Sequence, residues 1–296
     1  MTASASNPLH LSPIVAGLWR LSEWGLDAAG LQRWIQQALD LGVTSFDHAD
    51  IYGGYAVEAS FGEALARSPG LRQRLQIVTK CGIKLAHPSR PAHRINSYDS
   101  SRAHVLASVE QSLQALRTDR IDLLLIHRPD LLMDPQELVG TFADLKAAGK
   151  VLNFGVSNHA PDQLAMLHRR FALVTNQIEF SPLQMKALAD GTLTQCVDLG
   201  LRPMIWSPLG QGRLFSGADE QVRRVHAVLS DLGQARGASV ATMAFAWILR
   251  HPSKPRPITG SGRPQALQEA VAALDVTLSA EDWYRVWEAS TGHPVP

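Results

Sequence analysis

From Val15 to Ser290 short apolar runs alternate with amphipathic segments, and this alternation limits the possible folds more than any other feature. Strand-like runs fall at 15–19, 43–46, 75–80, 121–127, 151–156, 173–178, 203–206 and 257–259. Between them apolar residues recur at helical spacing. Examples are Leu31, Trp34, Ile35, Ala38 and Leu39, closed by Gly42; Val57, Phe61, Ala64 and Leu65; and Leu106, Val109, Leu113 and Leu116. The run Ile121-Asp122-Leu123-Leu124-Leu125-Ile126-His127 is apolar on both faces, as in a parallel strand covered on each side. About eight β/α units favour a closed (β/α)8 TIM barrel over an open doubly wound sheet. A short N-terminal extension and extra C-terminal helices, at 264–274 and 280–290, complete the expected architecture. No Gly/Ser or Pro tract interrupts the chain, so residues 1–296 read as a single α/β domain.

Composition excludes several function classes. A formal net charge of +1 provides no general attraction to nucleic acid or to an acidic membrane. Cys81 and Cys196 form neither a disulfide framework nor a metal motif. The first eight residues have no basic and apolar signal pattern, and the apolar run from Met243 to Leu249 is far too short to span a bilayer. The expectation is a cytoplasmic, monomeric enzyme acting on a small molecule.

Chemistry-bearing residues collect where strands give way to loops. Asp47 and Tyr52, Lys80, His127, Ser157-Asn158, Gln177 and Trp206-Ser207 all stand at or just beyond strand carboxyl ends, which in a barrel open on one mouth. Tyr52, Lys80, Asp47 and His127 read as a proton-donating set. A phenol ionises near pH 10, too high for efficient acid catalysis near neutrality, and a neighbouring ammonium is expected to pull it down. Asp47 would hold that ammonium in place, and His127 would orient a carbonyl oxygen. No nucleophile stands beside a base, so acyl transfer is not indicated.

The same residues carry a family resemblance. Asp47-x-Ala49-x-x-Tyr52, Thr79-Lys80, Asp122 through His127-x-Pro129, Gly155-Val156-Ser157-Asn158 and Asn176-Gln177-x-Glu179 resemble the motifs of the aldo-keto reductases, in order and spacing, from about Gly17 to Gly262. The segments His48 to Gly54, Ile126 to Asp130 and Gly210-x-Gly212-Arg213-Leu214-Phe215 are most similar to the YdhF-type bacterial branch. The resemblance implies metal-independent reduction of an aldehyde or ketone, with hydride from NADPH or NADH and a proton from Tyr52. It implies that Ser157, Asn158 and Gln177 hold the nicotinamide carboxamide and that Trp206 stacks on the ring. Ser207, Leu209, Gly210 and Arg213 would line the pyrophosphate, and Gly260, Ser261, Gly262 and Arg263 the adenosine 2′-phosphate. Family members commonly carry arginine and asparagine where this chain has Ala266 and Ala270. NADP therefore remains the expected cofactor, by a reduced margin, with Arg263 as the substitute cation.

Other features allow two readings. Trp19 stands either in a substrate-pocket wall or in the core. The loop 83–100, with Lys84, Arg90, His93 and Arg94, reads as a solvated segment more readily than as a lid favouring anionic substrates. Cys81 reads as an inert packing residue more readily than as an oxidation sensor. A Schiff-base aldolase through Lys80, a metal hydrolase using Asp47, His48 and Asp50, and a non-catalytic cofactor-binding subunit are the alternatives.

Overall fold

The computed structural model describes residues 9–296; the N-terminal extension and the signal region considered above lie outside the described residues. Eight strands form a closed parallel barrel. They are β1 (Val15–Gly17), β2 (Ser45–Asp47), β3 (Gln76–Cys81), β4 (Leu123–Ile126), β5 (Phe154–Ser157), β6 (Asn176–Glu179), β7 (Met204–Trp206) and β8 (Arg256–Thr259). Each strand pairs with its sequence neighbours, and β8 pairs with β1. Register places Asp47 opposite Val78 and Lys80 opposite Leu125. No described helix is long and apolar enough to cross a membrane.

Contacts cluster into two compact units, one built mainly on Ala16–Asn176 and the other on Gln177–Pro296 with Pro13–Val15. In the first, helix Ala28–Asp40 buries the expected Leu31, Trp34, Ile35, Ala38 and Leu39, and Asp27 caps it by accepting the Gly30 N–H. Phe142 stacks on Phe154 at 4.4 Å, which packs helix Pro135–Ala147 onto β5. In the second, Trp247 and Trp283 stack 8° from parallel, and each indole N–H donates to the other's backbone carbonyl, at 3.0 and 3.1 Å. That pair ties the C-terminal helix Ala280–Thr291 to helix Val240–Leu249.

Several strands begin later than the apolar runs suggest. The run 43–46 becomes a strand only at Ser45, because Ser12 Oγ accepts the backbone N–H groups of Thr44 and Ser45 before the ladder takes over. Helix Arg102–Ala115 buries Val105, Ser108, Val109, Ser112 and Leu113, whereas Leu106 is only half-buried. The buried face includes serines because Ser112 donates to the carboxylate of Glu58 on helix Val57–Ala66. The loop 83–100 is partly folded: Ile83–Lys84 pairs antiparallel with Ser97–Tyr98.

Candidate active site

Lys80 lies at the end of β3 with no solvent exposure. Its ammonium donates to Asp47 Oδ2 at 2.8 Å, to the His48 carbonyl at 2.6 Å and to Tyr52 Oη at 3.1 Å. An ammonium has three hydrogens and no lone pair, so these bonds exhaust it. Tyr52 Oη must act as acceptor towards Lys80, which leaves the phenolic hydrogen free for another acceptor. Burial alone lowers the Lys80 pKa, but the charge of Asp47 and the Tyr52 oxygen outweigh it and the net displacement is upward. Lys80 therefore stays charged.

The sequence argument expected a Tyr52 pKa below the usual phenol range, and this is corrected by the structure. Burial raises it by more than Lys80 lowers it, with Asp47 adding to the rise. Tyr52 is thus held in the protonated, donating form, and Lys80 limits the rise instead of reversing it.

The chain turns sharply after Tyr52. Gly53 and Gly54 have φ of 58° and 65°, and a Cβ at either would lie 2.5 Å from Ser22 Oγ or from the His87 ring. Any L-residue here is strained by the positive φ and crowds Ser22 or His87. His127, just beyond β4, presents its ring edge-on to Tyr52 at 5.9 Å between centroids. Burial, then Lys80 and Arg128, hold its pKa well below that of free histidine. A neutral imidazole can donate one ring N–H to a carbonyl oxygen without competing as an acid.

Asn158 follows β5 with φ of 59°, and its amide donates to Ser157 Oγ at 2.8 Å and to the His127 carbonyl at 3.5 Å. One short hydrogen-bonded path therefore joins Ser157, Asn158 and the His127 backbone within the first unit.

In the second unit Gln177 is buried at the start of β6, its amide nitrogen 3.9 Å from Met204 Sδ. Trp206 is half-buried at the end of β7, so a fully packed core tryptophan is excluded. Ser207, Gly210, Gln211 and Gly212 all have positive φ, between 52° and 94°. This backbone is strained for Ser207 and Gln211, and it is closed by turns in which the Gly210 and Gly212 N–H groups donate to the Ser207 and Leu209 carbonyls, at 2.9 and 3.1 Å. Gly210 cannot carry a Cβ, which would meet Leu183 Cδ1 at 2.9 Å. Arg213 is engaged by Asp219 at 3.0 Å. Helix Pro264–Ala272 begins after Arg263 with no side chain capping it; Pro264 has no N–H and Ala266 donates to the Arg263 carbonyl at 3.0 Å, which leaves the Gln265 amide for an anion. Arg263 is exposed, Ser261 and Gly262 are half-buried, and Ala270 is fully buried. These residues fit a dinucleotide phosphate chain on donor chemistry.

Trp19 is 54% exposed with the Arg20 guanidinium 5.2 Å from its ring centroid, so it is no core residue. In the 83–100 segment Lys84 pairs with Asp99 and Arg90 donates to Gln111. Both cations are occupied within the protein. Cys81 is buried and its thiol pKa is pushed well up, which makes it unreactive. Asp47, His48 and Asp50 do not converge: Asp47 holds Lys80, His48 packs its ring 4.4 Å from Phe61, and Asp50 lines a separate cavity with Glu58. Among the described residues no group of three or more His, Cys, Asp or Glu side chains is placed to hold a metal.

The sequence reading missed Glu58. It is buried, accepts from Thr79 Oγ1 at 2.5 Å and from Ser112 Oγ at 2.9 Å, and so braces the residue next to Lys80. The available signal was a carboxylate beside Val57, a turn before Phe61, on the helix's apolar face. The His48 carbonyl leaves no such signal, because backbone acceptors have no residue identity.

His48 has a consequence for acid stability. Burial first, and Lys80 second, lower its pKa to about 3, against 6.5 when unfolded. Below pH 6.5 the unfolded chain takes up a proton that the folded one refuses, so stability falls as pH falls towards 3. Between pH 7 and pH 5 this group alone costs about 2 kcal/mol. Denaturant titrations should show that His48→Leu loses about that much less than the wild type over this interval. An identical loss in both would place the acid sensitivity elsewhere.

A parallel barrel with a buried Lys–Asp–Tyr set at its strand ends defines a class of oxidoreductase, and the comparisons agree. The aldo/keto reductase family model matches residues 13–290. The chain belongs to the aldo/keto reductase family. It is 47% identical to the uncharacterized oxidoreductase YcsN of Bacillus subtilis, over 97% of both chains. It is also 47% identical to the oxidoreductase YdhF of Escherichia coli, over 97% of this chain and 96% of that one. A 6-dehydroglucose reductase of Agrobacterium fabrum is 40% identical over 98% of each. Among solved structures, a glycerol dehydrogenase from Gluconobacter oxydans superposes with a TM-score of 0.85 at 24% identity, over 99% of this chain and 98% of that one. That likeness concerns the fold alone.

Proposed function

We propose that this protein reduces aldehyde or ketone carbonyls with NADPH in preference to NADH, as a monomeric, metal-independent, single-domain enzyme of the cytoplasm. The observation that carries this reading is the exhausted Lys80 ammonium, which leaves the Tyr52 hydroxyl hydrogen for another acceptor. A reduced nicotinamide cofactor, when bound, supplies a hydride. Tyr52 gives its proton to the substrate oxygen as charge develops there, and Lys80 stabilises the phenolate left behind. Asp47 keeps Lys80 in place, and neutral His127 orients the carbonyl. Ser157, Asn158, Gln177 and Trp206 hold the nicotinamide end, and Trp19 borders the substrate. Ser207, Leu209, Gly210 and Arg213 take the pyrophosphate, and Gly260, Ser261, Gly262 and Arg263 the 2′-phosphate.

The test is NADPH consumption across aldehydes, ketones, dicarbonyls and oxidised sugars, the last class suggested by the 6-dehydroglucose reductase relatives. No turnover of any of them, with or without prior chelation, would overturn the reading. A Schiff-base aldolase fits less well, because its lysine must attack as a neutral amine, whereas Lys80 is buried with a raised pKa. Borohydride should trap no adduct.

Cofactor preference tests the phosphate end. Arg263→Ala should lower kcat/KM for NADPH by about tenfold or more, the worth of one charged hydrogen bond, and leave NADH nearly unchanged. A preference that survives the substitution would remove Arg263 from the site.

A further inference from the structure

Helices Ala28–Asp40 and Val57–Ala66, both in the first unit, border a surface cavity of about 310 Å3. Gln32, Arg33 and Gln36 line it from the first helix, Arg67 and Ser68 from the end of the second, and Leu71 supplies an apolar patch. No lining residue is acidic. Among the described residues, no carboxylate or other acceptor engages the guanidinium of Arg33 or of Arg67. Most other cations near an acid are paired, as Arg72 is with Asp122 and Arg102 with Asp144. A third guanidinium stands at the edge, where Arg74 donates to Gln36 Oε1 at 3.1 Å. The neighbouring acid, Asp40, is occupied in turn by the Gln36 amide at 2.6 Å.

We propose that this cavity is a binding site for a small dianion of the phosphomonoester class, held by Arg33 and Arg67. Arg33 and Arg67 reach the cavity from different helices, and among the described residues no protein acceptor engages either guanidinium. A dianion gives both guanidiniums charge-assisted hydrogen bonds. Gln32 and Ser68 add neutral donors, which suits a group with three acceptor oxygens better than a two-oxygen carboxylate. Leu71 accommodates a short carbon stem. The volume admits a small metabolite, and a net charge of +1 over the whole chain argues against a nucleic-acid surface.

Side-chain Nε–Hε resonances of 15N-labelled full-length protein, saturated with NADPH, provide the test. Inorganic phosphate and glycerol 3-phosphate should each shift the Arg33 and Arg67 signals and saturate at about millimolar concentration. Arg33→Gln and Arg67→Gln, both at exposed positions, should each weaken binding about tenfold or more. Tighter binding of glycerol 3-phosphate identifies an organic phosphate as the occupant, and equal binding identifies the free ion. The proposal is overturned if neither probe saturates, if both variants bind as the wild type does, or if the shifts fall on Arg263. Displacement of glycerol 3-phosphate by a short oligonucleotide at micromolar concentration would assign the patch to nucleic acid and overturn it equally.

Discussion

Tyr52→Phe is expected to lower kcat for carbonyl reduction by about 10²- to 10⁴-fold, or roughly 3–5 kcal/mol of transition-state stabilisation. The substitution removes one oxygen. The ring keeps its edge-on contact with His127, and the turn through Gly53 and Gly54 is untouched. Cofactor affinity should therefore hold, because the residues assigned to the cofactor do not include Tyr52. Lys80 loses one of three acceptors and keeps Asp47 and the His48 carbonyl, so the fold should survive. Steady-state turnover and a fluorescence titration with NADPH separate the two quantities. A variant retaining most of its turnover would mean that another group supplies the proton.

Lys80→Met is expected to act on rate, pH profile and stability together. The cation favours the phenolate form of Tyr52 and so holds the Tyr52 pKa down against burial and Asp47. Its removal raises that pKa. Activity depends on protonated Tyr52, so the alkaline decline of kcat should move to higher pH in the variant, while turnover slows because the phenolate formed in the reaction loses its stabilising charge. The Asp47 side chain, only 4% exposed, is left without its counter-charge. Breaking a buried pair from one side costs about 3–5 kcal/mol, so the denaturant midpoint should fall sharply. The double variant Lys80→Met, Asp47→Ala should recover part of that loss. A pH profile of unchanged shape would reduce Lys80 to a structural cation.

Much of this was legible without coordinates. The alternation of apolar runs and amphipathic segments depends on local periodicity, and the observed elements follow it to within a few residues. Leu31, Trp34, Ile35, Ala38 and Leu39 lie on one face because 3.6 residues per turn put them there. Asp47, Tyr52, Lys80 and His127 were recognisable because parallel strands deliver their carboxyl ends to one rim whatever their separation in the chain. Where strands begin was less legible. The apolar run at 43–46 gives no hint that Ser12 Oγ occupies the amides of Thr44 and Ser45. The occupied state of Lys84 and Arg90 was likewise hidden, since it depends on Asp99 and Gln111 being within reach.

The sequence by itself determined the barrel, the family and which four residues gather at the strand ends, because these follow from periodicity and from residue identity at set spacings. Only the tertiary structure decided the protonation logic. Burial is a property of everything packed around a group, so the upward displacement of Tyr52, the charged state of Lys80 and the neutral state of His127 emerge only when desolvation is weighed against each partner's distance. The same holds for the third acceptor of Lys80, a backbone carbonyl that any residue at position 48 would supply, and for Arg33 and Arg67, 34 positions apart by number, which share a cavity only because their helices pack side by side.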